Sequence, residues 1–504
     1  MDDRRLGRRA FLGAAVTAAA GLVGAGSRTS RAGEAFHRTT DVVVIGFGAA
    51  GACAAVEARA AGADVLIVER AETGGGTSAL AGGILYFGGG TALQRDLGYE
   101  DSVEDMFRYL MASSGPQPDE AKVRLFCERS VEHFDWIRAR GVPFRTSFYK
   151  GISLPLTDDG LLYSGSELAH PFRDLARPAP RGHKVRALGG EGGALLMTKL
   201  IEAARRSGAA VTTGARCRSL LQEADGSVVG VELQTGDGVR SVRARRGVVV
   251  CAGGFCRNRD MVARFAPRYL DCDTPIGVAG DDGAGILMGM AAGGAAVRMD
   301  AGFSALPFHP PEKLIEGILV NAAGARFVNE DVYYGLAGEE IVRRQGGRAF
   351  LILDRDCSVD SAYARPRLVA EGSDAAELER AAGFADGALV ATLELYNRHA
   401  RDGRDPVFHK QARYLRPLDR APLRILECST DKAYYPFFTL GGLHTTTGGE
   451  VLDPFGSAVP GLYAAGRTTS GVSALGYSSG VSLSDATFFG RLAGRSAARR
   501  GAAS

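Results

Sequence analysis

The chain has 504 residues, of which 45% are apolar and 23% are charged, so a disordered or fibrous protein is excluded. Its 60 basic and 57 acidic side chains leave a formal net charge of +3, which gives no electrostatic case for nucleic-acid binding. Glycine supplies 69 residues, about twice the usual share, and this indicates many tight turns and close backbone approaches around a large ligand.

Residues 1–35 have the pattern of an export signal. A charged stretch ends in Arg8-Arg9, and a run rich in Ala and Gly continues to Gly26. This run is a poor membrane span, and the segment resembles a twin-arginine signal, with a plain disordered basic tail as the alternative. We therefore expect a folded, cofactor-loaded protein to be exported to the periplasm or another extracytoplasmic space. No other apolar stretch is long enough to predict a membrane span.

The first chemical motif is a βαβ unit between residues 41 and 69. The strand DVVVI leads into a glycine-rich turn, a helix of small residues and a second strand, DVLIV. Gly46 permits the tight turn, Gly48 and Ala49 lie where a pyrophosphate meets the helix N-terminus, and Gly51 allows close helix–strand packing. The unit predicts a nucleotide site.

Glu69 ends the second strand, where its carboxylate can accept hydrogen bonds from a ribose. The same negative charge disfavours the 2′-phosphate of NADP, so FAD and NAD remain. Because an NAD domain needs no second glycine-hydroxyl loop, the next segment favours FAD. That segment supplies backbone amides and hydroxyls for a flavin nucleotide, at Gly75, Thr77, Ser78, Gly82 and Gly83.

Three later segments extend the pattern. Residues 248–255 read VVVCAGGF, residues 320–331 read VNAAGARFVNED, and residues 460–466 read PGLYAAG. In this order the motifs resemble the flavoprotein superfamily of fumarate reductases, succinate dehydrogenases and 3-ketosteroid dehydrogenases. The resemblance implies further cofactor contacts at Ala252, Gly253, Gly254, Gly466 and Ser482.

The resemblance also implies the fold: an α/β protein with a Rossmann-like FAD-binding domain of the glutathione-reductase type and an inserted α/β cap. We expect the FAD-binding domain at residues 40–277 and 437–504 and the cap at 278–436. Residues 224–250 read as a small antiparallel meander, and residues 371–403 as two amphipathic helices. Succinate dehydrogenases attach FAD to a histidine that this chain lacks near Gly76, so the FAD is expected to be non-covalent.

The eight cysteines form no CxxC pair and have no His at zinc-finger spacing, so no metal site is expected. Most of them read as small buried hydrophobes.

The substrate is predicted from residues 471–490. Fumarate reductases carry an arginine in this stretch to hold a dicarboxylate, and here it is missing. Tyr477, Ser479 and Gly480 resemble instead the Tyr-x-Ser-Gly pattern of 3-keto-5α-steroid Δ4-dehydrogenases. A further tyrosine of that family matches Tyr333, with the adjacent Tyr334 as an alternative. The resemblance implies a small, apolar, steroid-like ketone as substrate.

The expected chemistry is desaturation beside the ketone. Tyr477, assisted by Ser479, removes the α proton while hydride leaves the β carbon for flavin N5. Tyr333 orients or relays the proton, and a backbone amide near Gly480 holds the ketone oxygen. Because free tyrosine has a pKa near 10, such a base needs a hydroxyl partner or local positive potential. The electrons would pass to an external acceptor, a quinone or a redox protein.

Two alternatives stay open. The first is a soluble enoate reductase of the fumarate or urocanate reductase type, working in the opposite direction. The second is a flavin-bearing electron-transfer subunit without small-molecule turnover. His444, in GGLHTTTGG, is open between a catalytic role and a place in a nucleotide loop or the core.

Overall fold

The structure is a computed structural model that describes residues 30–31, 36–151, 155–306, 311–360 and 366–501. Apart from residues 30–31, the predicted export signal lies outside the described residues.

The strands fall into one large sheet and several small ones. In chain order they are β1 Ser30–Arg31, β2 Arg38–Ile45, β3 Val65–Val68, β4 Ile84–Tyr86, β5 Leu161–Leu162, β6 Gly182–Lys184, β7 Ala210–Thr212, β8 Arg216–Gln222, β9 Val228–Thr235, β10 Gly238–Val250, β11 Thr274–Pro275, β12 Ala296–Val297, β13 Gly302–Ser304, β14 Ile318–Asn321, β15 Ala349–Leu353, β16 Leu368–Gly372, β17 Leu423–Glu427, β18 Pro436–Thr439, β19 Gly442–Leu443, β20 Glu450–Leu452 and β21 Ala458–Ala464.

The α-helices connect and cover these sheets. They are α1 Ala49–Ala60, α2 Gly76–Leu80, α3 Ala92–Asp96, α4 Val103–Ser113, α5 Glu120–Glu128, α6 Ser130–Ala139, α7 Phe172–Leu175, α8 Gly192–Arg206, α9 Arg259–Phe265, α10 Ala284–Ala291, α11 Tyr334–Arg344, α12 Ala375–Ala382, α13 Ala388–Arg401 and α14 Val481–Arg499. Among the described residues, no helix has the length and apolar character needed to cross a bilayer.

The large sheet carries the nucleotide-binding topology. Its strands run in the order β1-β8-β9-β10-β2-β3-β7, with β21 beside β10 and β20 beside β21. Strand β2 lies parallel to β3 and β10, and β10 lies parallel to β21, whereas β8, β9 and β10 form the predicted antiparallel meander. The prediction of a Rossmann-like α/β fold is confirmed.

Helices α1 and α14 lie unusually close together. A Cβ at Gly490 or Gly494 would collide with the carbonyl oxygen of Ala50 or Ala54. Small residues at these crossing points therefore let α14 pack directly on α1. This contact brings the N-terminus of α14 to the carboxyl edge of the parallel strands.

The second sheet is antiparallel, in the order β14-β15-β17-β16, and α12 and α13 are the two helices predicted for residues 371–403. Arg326 of the motif at 320–331 forms ion pairs with Glu330 at 2.7 Å and Asp405 at 2.9 Å. The motif thus serves as a buried electrostatic clamp inside this unit. The exact domain boundaries stay predictions.

All eight cysteines are buried and free, as expected for small hydrophobes.

A buried carboxylate on α14 gives a pH-dependent prediction. Asp485 accepts the Val472 N–H at 2.8 Å, and burial raises the pKa of Asp485 from 3.8 to about 6. The folded protein therefore holds the Asp485 proton more tightly than the unfolded chain does. The protonated carboxyl contributes fully to the free energy of unfolding below pH 4, and this contribution is lost as the pH rises to 6. Urea unfolding should therefore show Asp485→Asn to be about 2–3 kcal/mol more stable than the parent at pH 7 and nearly equal at pH 4. The same difference at both pH values would contradict this.

Candidate active site

A cavity of about 620 Å³ opens at the carboxyl edge of the large sheet. Its wall is formed by the turn before α1, the loop around α2, the ends of β10 and β21, and the segment before α14. Residues 278–288, which the sequence placed in the cap, also contribute, so the predicted boundary at 277 passes through this wall.

The turn before α1 has the geometry of a phosphate-binding turn. Gly46 has φ +98°, and a Cβ there would collide with the Cys251 carbonyl, while a Cβ on Gly51 would collide with the Gly46 carbonyl. At Gly48, by contrast, the nearest atom to an added Cβ is Ser78 Oγ at 3.6 Å. The protein itself therefore leaves space at Gly48, on the side where helix α1 presents its N-terminus.

Glu69 is fixed beside this turn. Its carboxylate accepts the Phe47 N–H at 2.8 Å and the Ala71 N–H at 2.9 Å, and it lines the cavity. These bonds hold the carboxylate where a ribose hydroxyl could donate to it.

The second glycine-hydroxyl loop lies beside the N-terminus of α1. Ser78 Oγ accepts the Ala49 N–H at 3.3 Å, and Thr77 Oγ1 donates to Asp281 at 2.7 Å. Most of the predicted cofactor residues line the cavity: Gly46, Gly48, Ala49, Glu69, Thr77, Ser78, Gly82, Gly83, Ala252, Gly253, Gly466 and Ser482. The other three, Gly51, Gly75 and Gly254, do not line it.

Tyr477, Ser479 and Gly480 also line the cavity. Phe438 packs against Tyr477 with the ring centroids 5.3 Å apart and the planes nearly perpendicular. Gly480 has φ +98° and precedes α14, so the chain reverses there and the helix begins at Val481.

Burial raises the pKa of Tyr477, and several neighbours oppose this. They are the Ser482 side chain, the backbone of Gly480 and Ser482, and the positive charge of Arg467. Free amides at a helix N-terminus favour negative charge, so the α14 N-terminus eases deprotonation of this phenol.

Tyr333 lies one layer behind the cavity. It is 5% exposed, its ring centroid is 6.4 Å from that of Tyr477, and Tyr334 packs on it at 4.3 Å. Burial raises the pKa of Tyr333 well above its usual value, whereas the Ser479 side chain lowers it. Ser479 thus faces Tyr333, and Ser482 is the hydroxyl beside Tyr477. The sequence had paired Ser479 with Tyr477; the reversal at Gly480 explains the difference.

The described residues that line the cavity include no histidine. His444 lies outside this lining, where its backbone N–H donates to the Ala295 carbonyl at 2.8 Å. This position favours a place in the core over a catalytic role for His444.

Comparison with known proteins decides the family. Residues 41–483 match the family model described as FAD binding domain. The chain belongs to this FAD-binding family.

Two steroid dehydrogenases and one fumarate reductase are similar to this chain over most of its length. The 3-oxo-5-alpha-steroid 4-dehydrogenase of Comamonas testosteroni is 32% identical over 499 residues, which cover 85% of this chain and 92% of the relative. The crystal structure of 3-ketosteroid-delta4-(5alpha)-dehydrogenase from Rhodococcus jostii RHA1, in complex with 4-androstene-3,17-dione, has 41% identity and a TM-score of 0.88, and the match covers 94% of this chain and 100% of that one. A fumarate reductase (cytochrome) of Shewanella frigidimarina is 29% identical, with 94% of this chain and 79% of the relative covered.

The cavity fits the FAD of this family. It offers open space at Gly48 and a fixed carboxylate at Glu69. It also offers an unpartnered buried donor, Nη1 of Arg467, whose other terminal nitrogen donates to Asp281. The protein alone leaves this donor unused, as a bound polar ligand would require.

Sequence reasoning missed Arg467 and Asp281. Residues 471–490 do lack arginine, but Arg467 brings a guanidinium to the cavity from four residues upstream, with Cζ 5.6 Å from the Phe438 ring centroid. Its place directly after the PGLYAAG motif was the available signal. Asp281 has no motif that could have revealed it.

This ion pair leads to a prediction for FAD binding. Arg467→Met leaves the buried Asp281 carboxylate in the cavity wall without its cation, and this uncompensated charge would repel the phosphates of FAD. Loss of one partner of a buried pair costs about 3–5 kcal/mol, so fluorescence titration should show FAD affinity lowered more than about tenfold. The double variant Arg467→Met/Asp281→Asn should recover most of it, and a double variant as weak as the single one would contradict the electrostatic cause.

Proposed function

We propose that this protein is an FAD-dependent dehydrogenase that desaturates a 3-oxo-5α-steroid beside its ketone. The observation that carries the proposal is the wall around Tyr477 and Ser479, where apolar side chains such as Phe438 and Ile276 also line the cavity. The nearby guanidinium of Arg467 is engaged by Asp281. The two steroid dehydrogenase relatives support the same substrate class.

In the proposed reaction each residue of the site has its own role. Tyr477 takes the α proton, with its phenolate supported by the α14 N-terminus, Ser482 and Arg467. A backbone amide near Gly480 holds the ketone oxygen, which is bound beside the phenol. Ser479 connects the cavity to Tyr333, which orients or relays the proton. FAD, when bound, supplies the two-electron acceptor.

The mode of FAD binding and the destination of the electrons belong to the same proposal. We propose non-covalent FAD, because no histidine is found among the described cavity-lining residues and Gly76 stands at the expected attachment point. We further propose export by the twin-arginine route, on the pattern of residues 1–35, and reoxidation by an external quinone or redox protein.

The second candidate is an enoate reductase. The observation in its favour is the unpartnered Nη1 of Arg467, which could hold a carboxylate. The fumarate reductase relative is named for such a substrate.

A turnover panel with the purified holoenzyme distinguishes the two. Oxidation of a 3-oxo-5α-steroid with an artificial acceptor is expected, together with no oxidation of a reduced dye by fumarate or urocanate. The reverse pattern would replace the proposal by the enoate reductase. A flavin that exchanges electrons only with a protein partner would favour the electron-transfer subunit.

A further inference from the structure

Both active-site tyrosines are tied to one segment outside the cavity. Residues 164–166, here called the Ser-Gly-Ser segment, follow β5 and do not line the cavity. The Ser479 N–H donates to the Ser164 carbonyl at 2.9 Å, and the Tyr333 N–H donates to Ser166 Oγ at 2.9 Å. The segment therefore binds the backbone of Tyr333 and of the stretch that carries Tyr477.

Tyr109 on α4 completes this connection. Its side chain is buried, and its phenol oxygen accepts the Ser166 N–H at 2.7 Å. The same oxygen lies 2.9 Å from Ser478 Oγ, and either hydroxyl can be the donor. Because Ser478 directly follows Tyr477, the Tyr109 hydroxyl joins the Ser-Gly-Ser segment to the proposed base.

The Ser-Gly-Ser segment is tightly packed. A Cβ on Gly165 would collide with the Tyr109 phenol oxygen and approach Ser478 Oγ within 2.6 Å. On the other side, the Glu167 carboxylate accepts the Gly165 N–H at 2.8 Å and the Tyr86 O–H at 3.1 Å. This packing and these hydrogen bonds hold Gly165 between Tyr109, Ser478 and Glu167.

We propose that Tyr109 and Ser166 are positioning residues that hold Tyr477 and Tyr333 at the separation that proton transfer requires. Tyr333 belongs to the predicted cap and Tyr477 to the FAD-binding domain, so this hydrogen-bonded link sets how the two units meet at the reacting atoms. A displacement of about 1 Å in such a site can cost about 100-fold in rate. The inference rests on the proposed steroid dehydrogenase function.

Two single variants test the link in the holoenzyme. Tyr109→Phe removes only the hydroxyl, and Ser166→Ala removes the acceptor of the Tyr333 N–H. Each is expected to lower the rate of flavin reduction by a saturating 3-oxo-5α-steroid about tenfold. FAD content and affinity for 4-androstene-3,17-dione should change less than about twofold, because neither residue lines the cavity. The double variant should be about as slow as either single one, since both act in one network.

Tyr269→Phe is the matched control. It removes another buried phenolic hydroxyl, one that donates to Glu339 Oε2 at 2.7 Å outside the cavity. It should lower the unfolding free energy and leave the rate of flavin reduction unchanged. Wild-type rates in both test variants, or rate losses that follow FAD loss, would overturn the positioning role alone. A parent enzyme that oxidises no ketosteroid would overturn the proposed function, and the positioning role with it.

Discussion

Tyr477→Phe is expected to lower kcat for a 3-oxo-5α-steroid by about 10²–10⁴-fold, the usual contribution of a positioned base. The phenol lies at the N-terminus of α14, where burial raises its pKa while Ser482, two backbone amides and Arg467 oppose that rise. Phenylalanine keeps the ring contact with Phe438 but has no group that can take a proton. FAD content and steroid affinity should stay close to those of the parent, so the loss falls on kcat.

Tyr463→Phe is the control for this substitution. Tyr463 is a buried tyrosine on β21 that does not line the cavity. The control should retain the parent kcat. Parent-like turnover by Tyr477→Phe would show that Tyr477 is not the base and would make Tyr333 the candidate.

Gly48→Val is expected to abolish FAD binding while the apoprotein stays folded. Gly48 has φ −82° and ψ −167°, which a valine can adopt, and the nearest atom to its added Cβ is 3.6 Å away. The side chain would instead occupy the space in which the pyrophosphate approaches the backbone. FAD affinity should fall at least about 100-fold, or about 2.8 kcal/mol, with little change in apoprotein unfolding.

Gly236→Val provides the comparison for Gly48→Val. Gly236 lies between β9 and β10, and no atom lies within 4 Å of an added Cβ. This variant should bind FAD normally. Full FAD content in Gly48→Val would show that the cofactor does not approach this turn.

The sequence predicted the cofactor half of the site better than the substrate half. The βαβ unit from Gly46 to Glu69 could be identified because its turn, helix, strands and acid lie within one short stretch and each has a fixed physical task. The meander and the two cap helices were likewise predicted from local periodicity. Each of these elements is determined by residues that are close together in the sequence.

The missed contacts join distant parts of the chain. Arg467 and Asp281 are 186 residues apart, and Tyr109 and Ser478 are 369 apart, so no spacing rule connects them. The pairing of Ser482 with Tyr477 depends on the backbone reversal at Gly480, which a motif comparison does not reveal. The chemistry predicts that a tyrosine base needs a hydroxyl partner and a positive potential. Which residues supply them depends on the tertiary structure.

Anaerobic mixing of the holoenzyme with a 3-oxo-5α-steroid observes electron transfer from an uncharged ketone without any acceptor. We expect the visible flavin absorbance to bleach in one turnover, and Tyr477→Phe to slow this bleaching by about 10²–10⁴-fold. A flavin that stays oxidised with the steroid, but that is reoxidised by fumarate or another carboxylate after chemical reduction, would contradict the desaturation of a steroid ketone.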